Sequence, residues 1–455
     1  MDPSPAADAV RLVSRTRRIR EPGFRAAFEA VPRPRTVWGA PAEATVVAGG
    51  SAATLTASGP DRFESIRETA EAVFASGDVH AGTEAACPRL FGGFAFHENA
   101  TDGAPWESFP EARFVLPRVQ VTYADNGTWL TVNALEPDAD AADVEERLDR
   151  ATETFDGLDD GPRSNRPERP GIAELGRTTT REQWRVGVEA AIDRIREGEL
   201  DKVVLAQALA ATLRGELSRG ATIERLRESH PNCYPFLVEA STDGAAFLGA
   251  TPERLVSMRG RTVKTDALAG TTGRGETPEE DEWLAAELSA DEKNVHEHEL
   301  VVDAIRDQLS PFAASIAAGD RRVKRLATVQ HLHTPITAEL EGNTHVLALV
   351  EALHPTPAVG GLPPEAALST IRETEPFDRG WYAAPIGWFD AAGNGTFAVG
   401  IRSAVADDSQ ATLFAGVGIV VDSDAETEWD EIQLKYQPIL NELEATEGNE
   451  AGGRD

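Results

Sequence analysis

Two segments of this sequence place carboxylates where burial makes them costly. The spacing across 281–309 predicts one long helix, and Glu297 in Lys293-Asn-Val-His-Glu-His298 lies four residues before Val301 and eight before Ile305, on their core-facing stripe. A second helix is predicted over 426–444, where Glu428, Glu431 and Lys435 fall at i, i+3 and i+7 and share one face. An ionised carboxylate held against an apolar core needs a cation or a hydrogen-bonding partner. Two helices offering inward carboxylates suit a hard, oxygen-ligated ion, Mg²⁺ foremost if substrate oxygens and water complete its shell. The alternative for either helix is a solvated acidic face. Zinc on His296 and His298 is disfavoured, because residues two apart point to different faces of a helix.

Other groups of the right chemical type lie elsewhere. Lys202 opens the apolar run Lys202-Val-Val-Leu-Ala-Gln-Ala-Leu-Ala, predicted as a strand. An ammonium drawn out of water there parts with its proton more readily and suits a general base; an exposed strand-end lysine is the plainer alternative. Lysine is scarce, with Lys202, Lys264, Lys293, Lys324 and Lys435 against 39 arginines. Where arginine supplies the general basic surface, each lysine marks a place that needs a compact or titratable ammonium. Glu253 follows a strand and a proline in Gly249-Ala-Thr-Pro-Glu-Arg-Leu255. Arg402, at the end of Gly400-Ile-Arg, could clamp a carboxylate through two parallel hydrogen bonds. Gly416-Val-Gly418, read as following a strand, could offer amide groups to an anion. Alone, these residues describe a metal-assisted enzyme acting on a carboxylic acid.

The chain that must position them has 455 residues, 41% of them hydrophobic, enough for a large core in one or two domains. Its 76 acidic residues against 44 basic ones give a net charge of −32, spread along the chain rather than gathered in a tail. Such a surface repels nucleic acid and anionic membranes and points to a salt-loving host, an ordinary acidic protein of a mesophile being the plainer alternative. Cys87 and Cys233 have no paired spacing, which argues against a disulfide framework or a thiolate metal site. No apolar run follows the basic cluster Arg15, Arg17, Arg18 and Arg20, and no stretch approaches the length of a membrane span, so a cytoplasmic protein is expected. Nothing fixes the oligomeric state, for which a monomer is the expectation.

Residues 1–155 read as an α+β part: a helix near 67–74, a Gly-interrupted strand at 89–96, and strands at 113–122 and 128–133 flanking the turn Asp125-Asn126-Gly127. Residues 156–175 read as a connecting segment, and 446–455 as a disordered tail. A helix is predicted from Thr180, which forms a capping box with Gln183 ahead of the stripe Trp184, Val188, Ile192 and Ile195. Strands follow at 236–240, 246–249, 396–404 and 412–420, the last two paired antiparallel across Asp407-Asp408-Ser409. Strands and helices alternate too irregularly for a doubly wound parallel sheet, and α+β layers are predicted.

The order of motifs carries more than any one of them. Lys202-Val-Val-Leu-Ala, Gly249-Ala-Thr-Pro-Glu253, Ala269-Gly-Thr271, Lys293-Asn-Val-His-Glu-His298, His354-Pro-Thr-Pro-Ala358, Glu375-Pro-Phe-Asp-Arg379, Trp381-Tyr-Ala-Ala-Pro-Ile-Gly387, Ala415-Gly-Val-Gly-Ile419 and Glu428-Trp-Asp-Glu431 together resemble the chorismate-utilising enzyme family. The family includes anthranilate synthase component I, aminodeoxychorismate synthase, salicylate synthase and isochorismate synthase. The resemblance is strong over 176–445, the expected chorismate-binding region, and loose over 1–155 through Phe91-Gly-Gly-Phe-Ala-Phe96. It implies an α+β fold of large, mostly antiparallel sheets packed with helices in a layered sandwich.

The resemblance also implies the chemistry. Anthranilate synthases carry Gln where this chain has Lys202, and aminodeoxychorismate synthases typically carry a nucleophilic lysine where it has Ala269. Water is therefore the expected incoming group, and the segment from His354 to Gly361 followed by Arg379-Gly-Trp-Tyr382 looks most like the isochorismate synthases of menaquinone synthesis. By that resemblance Lys202 is the base and Glu253 the acid, with Mg²⁺ on Glu297 and Glu431 and with Glu428 nearby. Chorismate is expected to meet Ala269, Gly270, Thr271, His331, Thr356, Tyr382, Arg402, Gly416, Gly418 and Lys435. Two positions depart from the family pattern: Gln207 stands where many relatives have Arg, and Asn294 replaces an acidic residue three before the metal glutamate. Salicylate synthase or anthranilate synthase component I is the alternative among enzymes; outside enzymology a relative that binds chorismate without turning it over is the main competitor, disfavoured because Lys202 and Glu253 are both kept. A generic acidic, cation-binding structural protein would need neither.

Overall fold

Pro117 decides the path of the N-terminal half. The stretch 113–122, expected as one strand, is two: Ala112–Leu116 and Val119–Ala124 belong to different sheets. Proline has no N–H to give a ladder, so the first strand stops there and the chain crosses over. The same happens at two further places. Ala246–Thr251 and Arg254–Arg259 are separated by Pro252 and Glu253 and lie in different sheets. The expected strand 396–404 is also broken, into Gly395–Val399 and Ser403–Ala406, with Arg402 in the left-handed region at φ 52°. Glu253 and Arg402 therefore stand at crossings, where side chains are aimed by loop geometry rather than by a pleat.

The computed structural model describes residues 10–41, 43–99, 103–137, 139–158, 166–326 and 329–445; the expected tail at 446–455 and residues 159–165 of the expected connection lie outside them. Among the described residues the two sheets have thirteen and ten strands. Strands from the first 155 residues enter both, and the one parallel pairing among the described residues joins Arg11–Ile19 to Asp78–His80. The hairpin around Asp125-Asn126-Gly127 forms as the sequence requires, and Ser403–Ala406 pairs antiparallel with Gln410–Ile419. Between the sheets a cluster of aromatic rings, Trp106 on Phe414 with Phe247, Phe109 and Trp381 edge-on, fills the core and stacks Tyr382 against Phe414.

The helices position the acids. Thr180 and Gln183 make the expected capping box, and Trp184, Val188 and Ile192 are buried. The helix expected over 281–309 is two, Pro278–Ala290 and Glu292–Leu309, broken at Asp291, whose carboxylate takes the amide of Asn294 at 2.8 Å. An Asp that caps satisfies orphan N–H groups and favours a new start over continuation. Glu292–Leu309 lies on Thr262–Gly273 and Val329–Leu340, and Ala425–Leu443 lies on Gln410–Ile419.

Candidate active site

The two helices deliver their carboxylates to one cavity. Glu297, Glu428 and Glu431 line it together with Glu253, Ala269, Gly270, Thr271, His331, Tyr382, Arg402, Gly416, Gly418 and Lys435. Lys202 sits immediately against the wall: its side chain is 1% exposed and its Nζ is 2.8 Å from Glu297 Oε1. Thr356 is not at the wall; it stands behind it, its carbonyl accepting from the Val359 and Gly360 amides while Val359 itself faces the cavity.

Each of the three helical glutamates has a lysine. Besides Lys202 with Glu297, Lys293 meets Glu428 at 2.9 Å and Lys435 meets Glu431 at 2.7 Å. Burial opposes ionisation of Glu297, but Lys202, with Lys435 and Lys293 behind it, outweighs that and holds the group below the usual carboxylate range. Glu428 goes the other way: burial raises it, Lys293 opposes, and neighbouring Glu431 adds repulsion. Among the described residues no three His, Cys, Asp or Glu side chains already converge on a single point in a metal-binding arrangement. The donor set nevertheless fits Mg²⁺, since it consists of hard oxygens gathered in one cavity and still repelling one another.

Glu253 is fully enclosed, and burial lifts its carboxyl to about 7 against the pull of Lys202, Lys324 and Lys435. Arg402 is buried and pairs with no carboxylate among the described residues; its Nη2 lies 3.4 Å from His331 Nε2. Burial and then Arg402 hold His331 neutral, far below the usual imidazole range. Nε2 is thus the acceptor, and Nδ1–H is left to donate to Thr271 Oγ1 at 3.0 Å. Burial likewise keeps the Tyr382 phenol protonated. Together, Arg402 and Tyr382 bring a cation and a phenol to the cavity that the acids line.

The glycine pair needs a correction. Gly416 and Gly418 do not follow a strand but lie inside Gln410–Ile419, paired with Ala206 and Val204. Ser403–Ala406 covers the other edge only as far as Phe414, so 415–419 turns a free edge to the cavity. The lack of side chains matters more than an anion nest: a Cβ on Gly418 would come within 2.5 Å of Glu297 Oε1 and 2.9 Å of Lys202 Cε. A Cβ on Gly416 would press the Tyr382 hydroxyl at 3.1 Å, and the Gly416 carbonyl accepts from Lys435 Nζ at 2.8 Å.

A model of the chorismate binding enzymes matches residues 5–444. The chain belongs to that family. It is 38% identical over 358 residues to the isochorismate synthase MenF of Bacillus subtilis, covering 78% of this chain and 74% of that one. It is also 38% identical over 419 residues to the salicylate biosynthesis isochorismate synthase of Pseudomonas aeruginosa, over 91% and 86% of the two chains. The solved structure of MenF, the menaquinone-specific isochorismate synthase from Escherichia coli, matches with a TM-score of 0.78 at 27% identity over 95% of each chain. The α+β fold of large, mostly antiparallel sheets is that of the chorismate-binding enzymes.

The cavity also uses residues the sequence reading left without a role. Lys293 was notable for its rarity, but its partner Glu428 is 135 positions away. Glu375 and Arg379 mend the Lys202–Leu213 strand where its edge lacks a neighbour. Glu375 Oε1 takes the Ala206 amide at 2.7 Å, and the buried Arg379 holds Glu375 and the Val204 and Val359 carbonyls. Of the two departures, Asn294 bonds back to Asp291, and Gln207 is buried with its carbonyl held by Tyr436.

Proposed function

We propose that this chain converts chorismate to isochorismate, with Mg²⁺, by adding water at C2 and releasing the C4 hydroxyl as water. The observation that carries the reading is Glu253, a glutamic acid held near neutrality by burial in the same cavity that Lys202 borders. An acid kept protonated by burial and a lysine at one site suit an exchange in which one oxygen arrives and another leaves. Lys202 takes a proton from the attacking water, and Glu253 gives one to the departing hydroxyl, so the ring gains and loses one water. Arg402 and Tyr382 hold the enolpyruvyl carboxylate beside the free edge at Gly416 and Gly418. Glu297 and Glu431, with Glu428 nearby, would hold Mg²⁺, which when bound would neutralise and orient the ring carboxylate beside Lys435. Lys202 in place of Gln, and Ala269 in place of a nucleophilic lysine, support water rather than ammonia as the incoming group.

Likeness to the MenF relatives supports menaquinone synthesis as the fate of the product, and two unpaired cysteines support a cytoplasmic setting. Incubation with chorismate and Mg²⁺, followed by chromatography, tests the reading. Isochorismate is the expected product; salicylate with pyruvate, or anthranilate when ammonia is supplied, would overturn it.

Two further outcomes follow from the geometry. Glu431→Gln deletes a charged ligand at constant size, and half-maximal activation should then need roughly 10–100-fold more Mg²⁺. Unchanged metal dependence in a Mg²⁺ titration removes Glu431 from the site. Because Glu253 must be protonated to act, and its protonated fraction falls as pH rises through about 7, turnover should decline along an alkaline limb centred there. A rate profile that stays flat through neutrality contradicts its role as the acid.

A further inference from the structure

Four of the five lysines gather around this cavity, and three of them are matched to its carboxylates. Lys324, the fourth, pairs with no carboxylate among the described residues. It stands on the short strand Arg322–Arg325 directly across from His331, and its Nζ donates to the Pro252 carbonyl at 2.8 Å. That carbonyl belongs to the peptide group whose nitrogen is Glu253's own. The segment is a crossing between sheets, so no ladder fixes it, and Pro252 has no N–H to offer. The remaining ties are the Glu253 amide on Thr251 Oγ1 at 3.3 Å and the Glu253 carbonyl accepting from the Val399 amide at 3.0 Å.

We propose that Lys324 is a positioning residue for Glu253, fixing through the Pro252 carbonyl the peptide that aims the Glu253 carboxyl into the cavity. The inference rests on the reading of Glu253 as the proton donor. Asp266, the acid whose charge acts most on Lys324, is already engaged by Arg254 at 2.9 Å and His333 at 3.0 Å. The ammonium, which burial opposes, acts on Asp266 and also on Glu253. Around that carboxyl, Lys202, Lys324 and Lys435 favour ionisation, burial and Asp266 favour the proton, and Tyr382 and Arg402 border the same cavity. A chain that elsewhere uses arginine keeps here the compact ammonium that can sit under a single carbonyl.

Lys324→Met and Lys324→Arg in the full chain, assayed with chorismate and Mg²⁺, test this. Lys324→Met should lower kcat roughly tenfold with KM within about twofold, since it disturbs aim rather than binding. Its alkaline limb should move to higher pH, because an ammonium that favoured the ionised acid is gone. Lys324→Arg, which keeps a charge and a donor, should return the limb to its place and restore most of kcat. The C=O stretching band of the Glu253 acid, identified as the infrared band missing from Glu253→Gln, should titrate at higher pH in Lys324→Met without any turnover. If limb and infrared midpoint both stay put, the proposal is overturned even where kcat falls, since lost packing alone does that. If instead Glu253→Gln keeps full activity, the proton-donor reading fails, and the infrared titration still decides whether Lys324 governs Glu253.

Discussion

Lys202→Ala should cost between about 10²- and 10⁴-fold in kcat, the range spanned by positioned proton transfer, while chorismate and Mg²⁺ still bind. The structure adds a condition that the sequence did not contain. Lys202 is buried and is the hydrogen-bonded partner of Glu297, so the variant leaves an enclosed carboxylate without its ammonium. Breaking a buried pair from one side typically destabilises by about 3–5 kcal/mol, because the remaining charge is unpaired. The metal-free variant should therefore melt below the parent chain, and Mg²⁺ should recover more of its melting temperature than it adds to the parent. Calorimetric Mg²⁺ titration and single-turnover kinetics separate the two effects. A kcat within a few-fold of the parent would reduce Lys202 to a structural partner of Glu297.

What periodicity encodes was legible in advance. Glu297 with Val301 and Ile305, and Glu428 with Glu431 and Lys435, were placed on their faces by helical spacing, and the capping box at Thr180 by residue type. The crossings were not. An alternating or apolar run says that a strand exists, but it does not say which of two sheets the strand joins, so 113–122 and 396–404 were each read as one piece. Pro117 is a local breaker that the pattern around it masked, and the positive φ of Arg402 has no sequence signature. Asp291 was hidden for a related reason. The buried stripes differ, with Ala285 and Leu288 before the break and Val301, Ile305 and Leu309 after it, but each run reads as helix, and the Asp291 cap on the Asn294 amide marks where one ends and the next begins.

The site's chemistry was legible at a different level. Scarcity singled out the lysines, but what each one does depends on partners distant in the chain: Glu297 for Lys202, Glu428 for Lys293, the Pro252 carbonyl for Lys324. Gly416 and Gly418 were noticed for their backbone amides, whereas their structural contribution is the space they leave for Glu297, Lys202 and Tyr382. Motif order supplied the assignment of acid and base. The geometry supplies the reason Glu253 can hold its proton near neutrality, which is burial at a crossing that outweighs the pull of Lys202, Lys324 and Lys435.

The melting temperature, measured without chorismate or Mg²⁺, should rise by on the order of ten degrees between 0.01 M and 1 M KCl. The net charge of −32 opposes compaction. Spread over a sphere of radius about 30 Å, the size a folded chain of this length takes, it carries a self-repulsion that falls by roughly 30 kcal/mol as the Debye length shortens from about 30 Å to about 3 Å. The unfolded chain shares much of that relief at its larger separations. If a third remains with the folded state, that is about 10 kcal/mol, and a chain of this length takes up about 1 kcal/mol per degree near its midpoint. Salt also weakens the exposed ion pairs, such as Arg185 with Glu182 and Glu189 or Arg17 with Asp149. Such pairs contribute little one by one, so their loss does not reverse the sign. The buried pairs Lys202 with Glu297 and Arg379 with Glu375 are screened least and should hold at every salt concentration. A melting temperature that stays flat or falls over that range would mean that the acidic surface is no adaptation to salt, and it would leave the assignment of Lys202 and Glu253 untouched.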